Sequence, residues 1–202
     1  KTGTLTQPEF IVQGIFSANG LQPADILMQV AAAECPSEHP LGKAMVAEAE
    51  KQAISLPDTT GFRALPGQGV TASVGSQTVW VGTRRLMDDH KLKMPAHLNE
   101  KISGLQRDGL SVVYAGWNGK VQGIIGLSEQ PHPHIAEAVA DLQALSLTVA
   151  VLTGDDSEAG KRWAARLNIP VLAELRPQDK IDHIRASNGP VAMVGDGIND
   201  GP

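Results

Sequence analysis

Apolar positions along this chain follow two rhythms, and the change falls after Gly126. In "QPADILMQVAAAE", Ile26, Leu27, Val30 and Ala31 recur at helical spacing, and Pro23 suits a first helical turn. A second apolar stripe of Leu41, Ala44, Met45 and Ala47 follows Pro40 and predicts another helix after "SEHP". From Gly61 to Gly82 the pattern shortens. "FRAL", "VTASV" and "TVWVG" partly alternate and are separated by glycine, which predicts antiparallel strands. Leu98 to Leu105 reads as a helix. "SVVYAGWNGKVQGIIGL" reads as a hairpin turning at Asn118-Gly119.

Beyond Gly126, helical stretches ("HIAEAVADLQAL", "SEAGKRWAARL", "PQDKIDHIRAS") alternate with short apolar runs ("LTVAVL", "PVLAEL", "VAMVG") that predict strands. Strands alternating with helices mean βαβ units and a parallel sheet. The predicted fold class is therefore α/β, a parallel-sheet unit interrupted by an inserted antiparallel α+β region. The expected division is residues 1–12 with 124–202 for the parallel unit and 13–123 for the insertion.

Composition bounds the function. The chain has 202 residues, 42% hydrophobic and 19% charged, enough to bury a core in one large or two small domains. The net charge of -5, with no basic block, argues against a nucleic-acid surface. Cys35 is the single cysteine, which fits a reducing compartment and allows no internal disulfide. No apolar run approaches the ~20 residues that span a bilayer, and no secretory leader is present, so the piece is expected to be soluble. Its abrupt start at Lys1 and end at Pro202 suggest a segment cut from something larger.

The chemistry gathers at strand ends. "VLTGDD" and "MVGDGINDGP" each follow a predicted parallel strand, and ligands of open α/β sheets sit beyond the carboxyl ends of strands. Thr153, Gly154, Asp155, Asp196 and Asp200 would collect there, with Lys180 of "RPQDK" near a helix start on the same side. Carboxylates, a hydroxyl and a lysine suit Mg²⁺ and a phosphoryl group: Mg²⁺ takes one or two carboxylates plus phosphate and water oxygens, and the lysine and hydroxyl hold phosphoryl oxygens. The set lacks a nucleophile, a role that a carboxylate can fill by forming an aspartyl-phosphate. Taken singly, "TGD" is a turn, the aspartate of "GDG" a loop stabiliser and Lys180 a solvated helix residue.

In this order, "KTGTLT", "TGD", "RPQDK" and "GDGIND" resemble the phosphorylation domain of P-type ATPases. The resemblance implies a haloacid dehalogenase-like parallel core and a phosphate-accepting aspartate immediately before Lys1. That aspartate and the strand leading to it are not in the chain. It further implies that Lys1, Thr2, Thr153, Gly154, Asp155 and Lys180 form the catalytic set, with Mg²⁺ held by the phosphate-accepting aspartate, the Thr2 carbonyl and Asp196, and with Asp200 ordering the metal's waters. "AECPSEHPLGKA" and "LPGQGV" resemble the nucleotide-binding domain of the heavy-metal branch (copper- or zinc/cadmium-type). This implies ATP on the inserted region, with Glu34 and His39 on the adenine side and Gly67 and Gly69 letting the nucleotide approach the backbone, as glycine's missing Cβ permits. Read without the resemblance, His39 is a helix cap and Gly67 and Gly69 a strand turn. The branch often has asparagine where this chain has Thr83, and a hydroxyl replaces only one amide hydrogen bond.

The implied partners are ATP and a transported transition-metal ion bound outside this chain, with the membrane reached through helices the chain lacks. The implied location is the cytoplasmic domain of an integral membrane protein. Two alternatives stand beside the pump: a soluble haloacid dehalogenase-like phosphohydrolase, and an isolated nucleotide-binding fragment without turnover. Thr2 weighs against the phosphohydrolase, because related phosphatases place there a second aspartate as general acid and base. His132 and His134 lack a third ligand and read as surface residues. Cys35 reads as a small buried or half-buried residue. Trp80, Trp117 and Trp163 lie too far apart to form a base-stacking platform.

Overall fold

Both faces of the largest sheet are covered by helices, so its central strands are apolar on both sides and do not alternate cleanly in sequence. The computed structural model describes residues 4–18, 20–155, 157–187 and 189–195. The chain divides into two compact units, Glu9–Glu129 and Lys1–Pro8 with Gln130–Pro202.

The first unit carries six strands: β1 (Thr6–Ser17), β2 (Thr59–Leu65), β3 (Gly69–Val74), β4 (Gln77–Gly82), β5 (Ser111–Trp117) and β6 (Lys120–Pro131), in the sheet order β1-β6-β5-β4-β3-β2. The pairs from β2 through β6 are antiparallel. β1 runs antiparallel to β6 as well, since Gln13 meets Ser128 and the later Ala18 meets the earlier Gln122. The β5–β6 hairpin turns at Asn118 (φ 52) and Gly119 (φ 73), the pair of positive φ values that a two-residue turn matching the strand twist requires.

Helices α1 (Pro23–Glu34) and α2 (Pro40–Lys51) cover one face, where Ile26, Leu27, Val30 and Met45 pack with Val79, Val81, Val113 and Ile125. Helices α3 (Arg84–Asp89) and α4 (Leu98–Arg107) serve the other face, where Leu86, Met87 and Ile102 pack with Tyr114, Val121 and Ile124. Neighbouring residues such as Ile124 and Ile125 therefore enter different cores, as strand geometry dictates. Ile26 and Leu27 are wholly buried, and each is worth roughly 1.5–3 kcal/mol of apolar burial.

The second unit holds helices α5 (Ile135–Ala144), α6 (Ser157–Leu167) and α7 (Pro177–Arg185) and two short strands, β7 (Val151–Leu152) and β8 (Val171–Leu172). The strands pair in parallel, Val151 with Val171 and Leu152 with Leu172. Leu5, Val139, Val151, Leu167 and Ile169 form its core. Gly160 lets α6 close on β8, since a Cβ there would meet the Ala173 Cβ at 2.7 Å.

Three strand expectations are corrected here. "LTVAVL" yields only Val151–Leu152 and "PVLAEL" only Val171–Leu172. "VAMVG" forms no strand, and Val191, Met193 and Val194 stand 50%, 47% and 78% exposed. An apolar run becomes a strand only when a neighbour takes its backbone bonds, and among the described residues this run has no ladder partner. Among the described residues, no helix is long and apolar enough to cross a membrane.

Candidate functional site

In the first unit, the turn between α1 and α2 gathers one cluster. Ala31, Ala32 and Ala33 seat the end of α1 in the core, and Glu34 follows them inward at 6% exposure. Ser37 binds back to it: its N–H donates to the Glu34 carbonyl at 2.7 Å, and its hydroxyl hydrogen-bonds the Glu34 carboxylate. The same hydroxyl accepts the His39 N–H at 3.3 Å, so one serine joins the two residues singled out from the sequence. Glu34 Oε2 is buried and, among the described residues, accepts no hydrogen bond. Burial raises the carboxyl pKa above its usual value, and the Ser37 bond opposes this. A buried carboxylate with an open acceptor suits an incoming N–H donor.

His39 caps α2. Its Nδ1 accepts the Leu41 N–H at 3.2 Å, so the neutral ring carries its proton on Nε2 and can donate there. The ring is exposed. Capping and ligand contact are thus compatible in one side chain, each using a different nitrogen. Gly42, which the sequence reading passed over, clears the space beside Glu34: a Cβ there would overlap Oε2 and crowd Ser37 Oγ at 3.1 Å.

Gly67 and Gly69 sit where β2 turns into β3. Gln68 N–H closes the turn on the Leu65 carbonyl at 2.9 Å, with Pro66 and Gly67 (φ 71) as its central residues; this arrangement demands glycine at the second of them. Among the described residues, nothing lies within 4 Å of a Cβ on Gly67, so that surface is open. Gly69 is different. It pairs with Gly82 across β3 and β4, and a Cβ on either would overlap the other strand's backbone. Gly82 is a second residue the sequence reading missed, since its importance appears only with the strand register. Thr83 caps α3, its hydroxyl accepting the Leu86 N–H at 3.3 Å.

In the second unit, Thr153, Gly154 and Asp155 leave the carboxyl end of β7. Thr153 is 3% exposed. Its N–H donates to Leu172 O at 2.9 Å and its carbonyl accepts the Leu175 N–H at 3.0 Å. Its hydroxyl accepts the Asp155 N–H at 3.1 Å, which leaves the O–H proton to donate elsewhere. Asp155 is half-buried and exposed Gly154 makes the bend. Lys180 is the fourth residue of α7, which Pro177 and the Arg176–Asp179 capping pair initiate; the Arg176 N–H donates to Asp179 Oδ2 at 2.8 Å. The Leu175–Thr153 bond thus ties the run into α7 to the loop after β7. Lys1, Thr2, Asp196 and Asp200 lie outside the described residues.

Two peripheral readings are resolved. Cys35 is exposed, not buried, because it follows Glu34 as the C-cap of α1 and has left the core. His132 and His134 are exposed, with ring centres 6.4 Å apart, and His134 pairs with Glu137 at 3.0 Å.

Residues 1–202 match the family described as haloacid dehalogenase-like hydrolases. The chain belongs to that family. Over its whole length it is 37% identical to a probable copper-exporting P-type ATPase V of Mycobacterium tuberculosis and 34% identical to a copper-exporting P-type ATPase of Staphylococcus aureus. It covers 27% and 25% of those proteins, so it spans about a quarter of the relatives it matches. A crystal structure of a zinc-transporting PIB-type ATPase in an E2.Pi state superposes on 99% of the chain, with a TM-score of 0.83 and 35% identity, the chain covering 32% of that protein. The haloacid dehalogenase-like fold and the resemblance to heavy-metal P-type ATPases read from the sequence are both upheld by these matches.

Proposed function

We propose that this chain is the ATP-binding and phosphorylation unit of a heavy-metal P-type ATPase, a cytoplasmic part of a membrane pump that moves a transition-metal ion of the copper or zinc/cadmium class. The observation that carries the reading is the end-to-end likeness to the catalytic segment of such pumps. The two clusters support it. ATP binds the Glu9–Glu129 unit, with its base near Glu34 and His39. The open Glu34 oxygen fits an amino group on the base, and the exposed Nε2 of His39 offers a donor. Gly67 gives the nucleotide an open stretch of backbone.

The γ-phosphate passes to the aspartate expected before Lys1. The Thr153 hydroxyl and the Lys180 ammonium hold phosphoryl oxygens, and Gly154 and Asp155 shape the loop that presents Thr153. Mg²⁺ would be held by the phosphate-accepting aspartate, the Thr2 carbonyl and Asp196, with Asp200 ordering its waters and Lys1 counted in the catalytic set; it would neutralise charge on the transferring group.

The test is phosphoenzyme formation in the full-length protein. With Mg²⁺ and labelled ATP, the wild type should form an acid-stable, hydroxylamine-labile phosphoenzyme that depends on the transported metal, and Lys180→Ala should form none. Normal phosphorylation of Lys180→Ala would remove the lysine from the site. A wild type that hydrolyses phosphate esters without metal dependence would replace the pump with a phosphohydrolase.

A further inference from the structure

We infer that Glu174 is a positioning residue for the phosphoryl site, acting through its backbone; this rests on reading Thr153 and Lys180 as phosphoryl contacts. Among the described residues, non-glycine positive φ values occur at Ala53, Lys91, Asn118, Ser146, Asn168 and Glu174. Ala53, Lys91, Ser146 and Asn168 follow the ends of α2, α3, α5 and α6, where a left-handed residue commonly closes a helix. Asn118 makes the β5–β6 turn. Glu174, at φ 60, ends no helix and joins no hairpin; it lies between β8 and α7.

Its conformation has one visible consequence. It turns two successive N–H groups onto the loop after β7: Glu174 N–H donates to Asp155 O at 2.7 Å and Leu175 N–H to Thr153 O at 3.0 Å. With the Thr153 N–H bonded to Leu172 O, the backbone of Thr153 is fixed from both sides, and its hydroxyl is fixed with it. Two residues beyond Glu174, Arg176 caps α7, and the Lys180 N–H bonds the Arg176 carbonyl at 3.3 Å. One turn therefore sets both the hydroxyl and the helix that carries the lysine. The Glu174 side chain is exposed, so changing it opens no cavity. What the position needs is a residue that accepts left-handed backbone, which β-branched residues resist and glycine and asparagine tolerate.

The experiment compares Glu174→Val, Glu174→Gly and Glu174→Asn. In the 202-residue chain, hydrogen exchange of the Leu175 amide should stay slow in the Gly and Asn variants and quicken several-fold in the Val variant, because a β-branched residue resists the left-handed region more than glutamate does. Exchange in β3 and β4 should not change. In the full-length protein, the inorganic phosphate concentration giving half-maximal Mg²⁺-dependent phosphoenzyme should rise several-fold in Glu174→Val. It should stay at the wild-type value in Glu174→Gly and Glu174→Asn. An unchanged phosphate response in Glu174→Val, while Thr153→Ala loses phosphorylation, overturns the inference and spares the site. A phosphate response unchanged by Thr153→Ala overturns the phosphoryl reading itself, and the inference falls with it. Equal losses in Val, Gly and Asn variants would assign the role to the carboxylate and overturn the backbone argument.

Discussion

At the scale of single residues, Glu34 is held where burial works against its charge. Its pKa is raised above the ordinary carboxyl value, mainly by burial. A group that binds its proton more tightly when folded stabilises the fold below its unfolded pKa, and that contribution is lost as pH rises through the folded value. The prediction follows by sign. Glu34→Gln should gain stability relative to wild type as pH rises above the ordinary carboxyl range toward neutrality, and the gain should vanish in more acid buffer. Urea midpoints at several pH values check this. A pH-independent difference would mean that the carboxylate is already compensated. The two motif glycines also separate at this scale. Gly69→Ala drives a Cβ into the Val81 carbonyl and should remove about 1–3 kcal/mol. Gly67→Ala meets open space and only a left-handed backbone, a penalty of about 1–2 kcal/mol. Equal stability of wild type and Gly69→Ala in urea would show that the strands part easily.

At the scale of elements, the start of α2 tests whether His39 is more than a cap. Asparagine caps helices well, so His39→Asn should keep the stability that His39→Ala loses, about 1 kcal/mol. Both variants should weaken ATP binding measured by calorimetry, because neither keeps the imidazole Nε2. Full ATP affinity in His39→Asn would reduce His39 to its capping role. Element identity was largely legible in the sequence: α1, α2 and the glycine-bounded strands follow from helical spacing behind a proline and from alternation between glycines. The misses have physical causes. β1 contains Pro8 and lies at the sheet edge, so its pattern is weak. α3 has only six residues, too few to show a period. "VAMVG" shows the reverse failure, a strong strand composition without a neighbour to bond. For the site, Glu34, His39, Thr153 and Lys180 could be singled out by motif. Ser37, Gly42, Gly82 and Glu174 became visible only through distances, register and dihedral angles.

At the scale of the whole molecule, two compact units, each with core packing of its own, predict two responses. The Glu9–Glu129 unit contains Trp80 and Trp117, whereas Trp163 packs against the small core of the second unit. In a Trp80→Phe, Trp117→Phe chain, fluorescence reports the second unit alone. ATP at a hundredfold excess over its dissociation constant stabilises the form that binds it by about 2.7 kcal/mol. ATP should therefore raise the unfolding midpoint seen by Trp80 and Trp117 and leave that seen by Trp163 unmoved. Equal shifts at all three would show that the units unfold as one.

The boundaries of the first unit fall within β1 and β6, which are neighbours in the sheet. Adjacent strands lie about 4.8 Å apart, so the chain enters and leaves this unit almost at one point. A segment with that property is a portable cassette: cut at both strands and closed with a short linker, it should survive excision, circular permutation or grafting into a surface loop of an unrelated host. Its length could also drift, by insertion in its outer turns, without altering the spacing of the two strands by which the chain enters and leaves it.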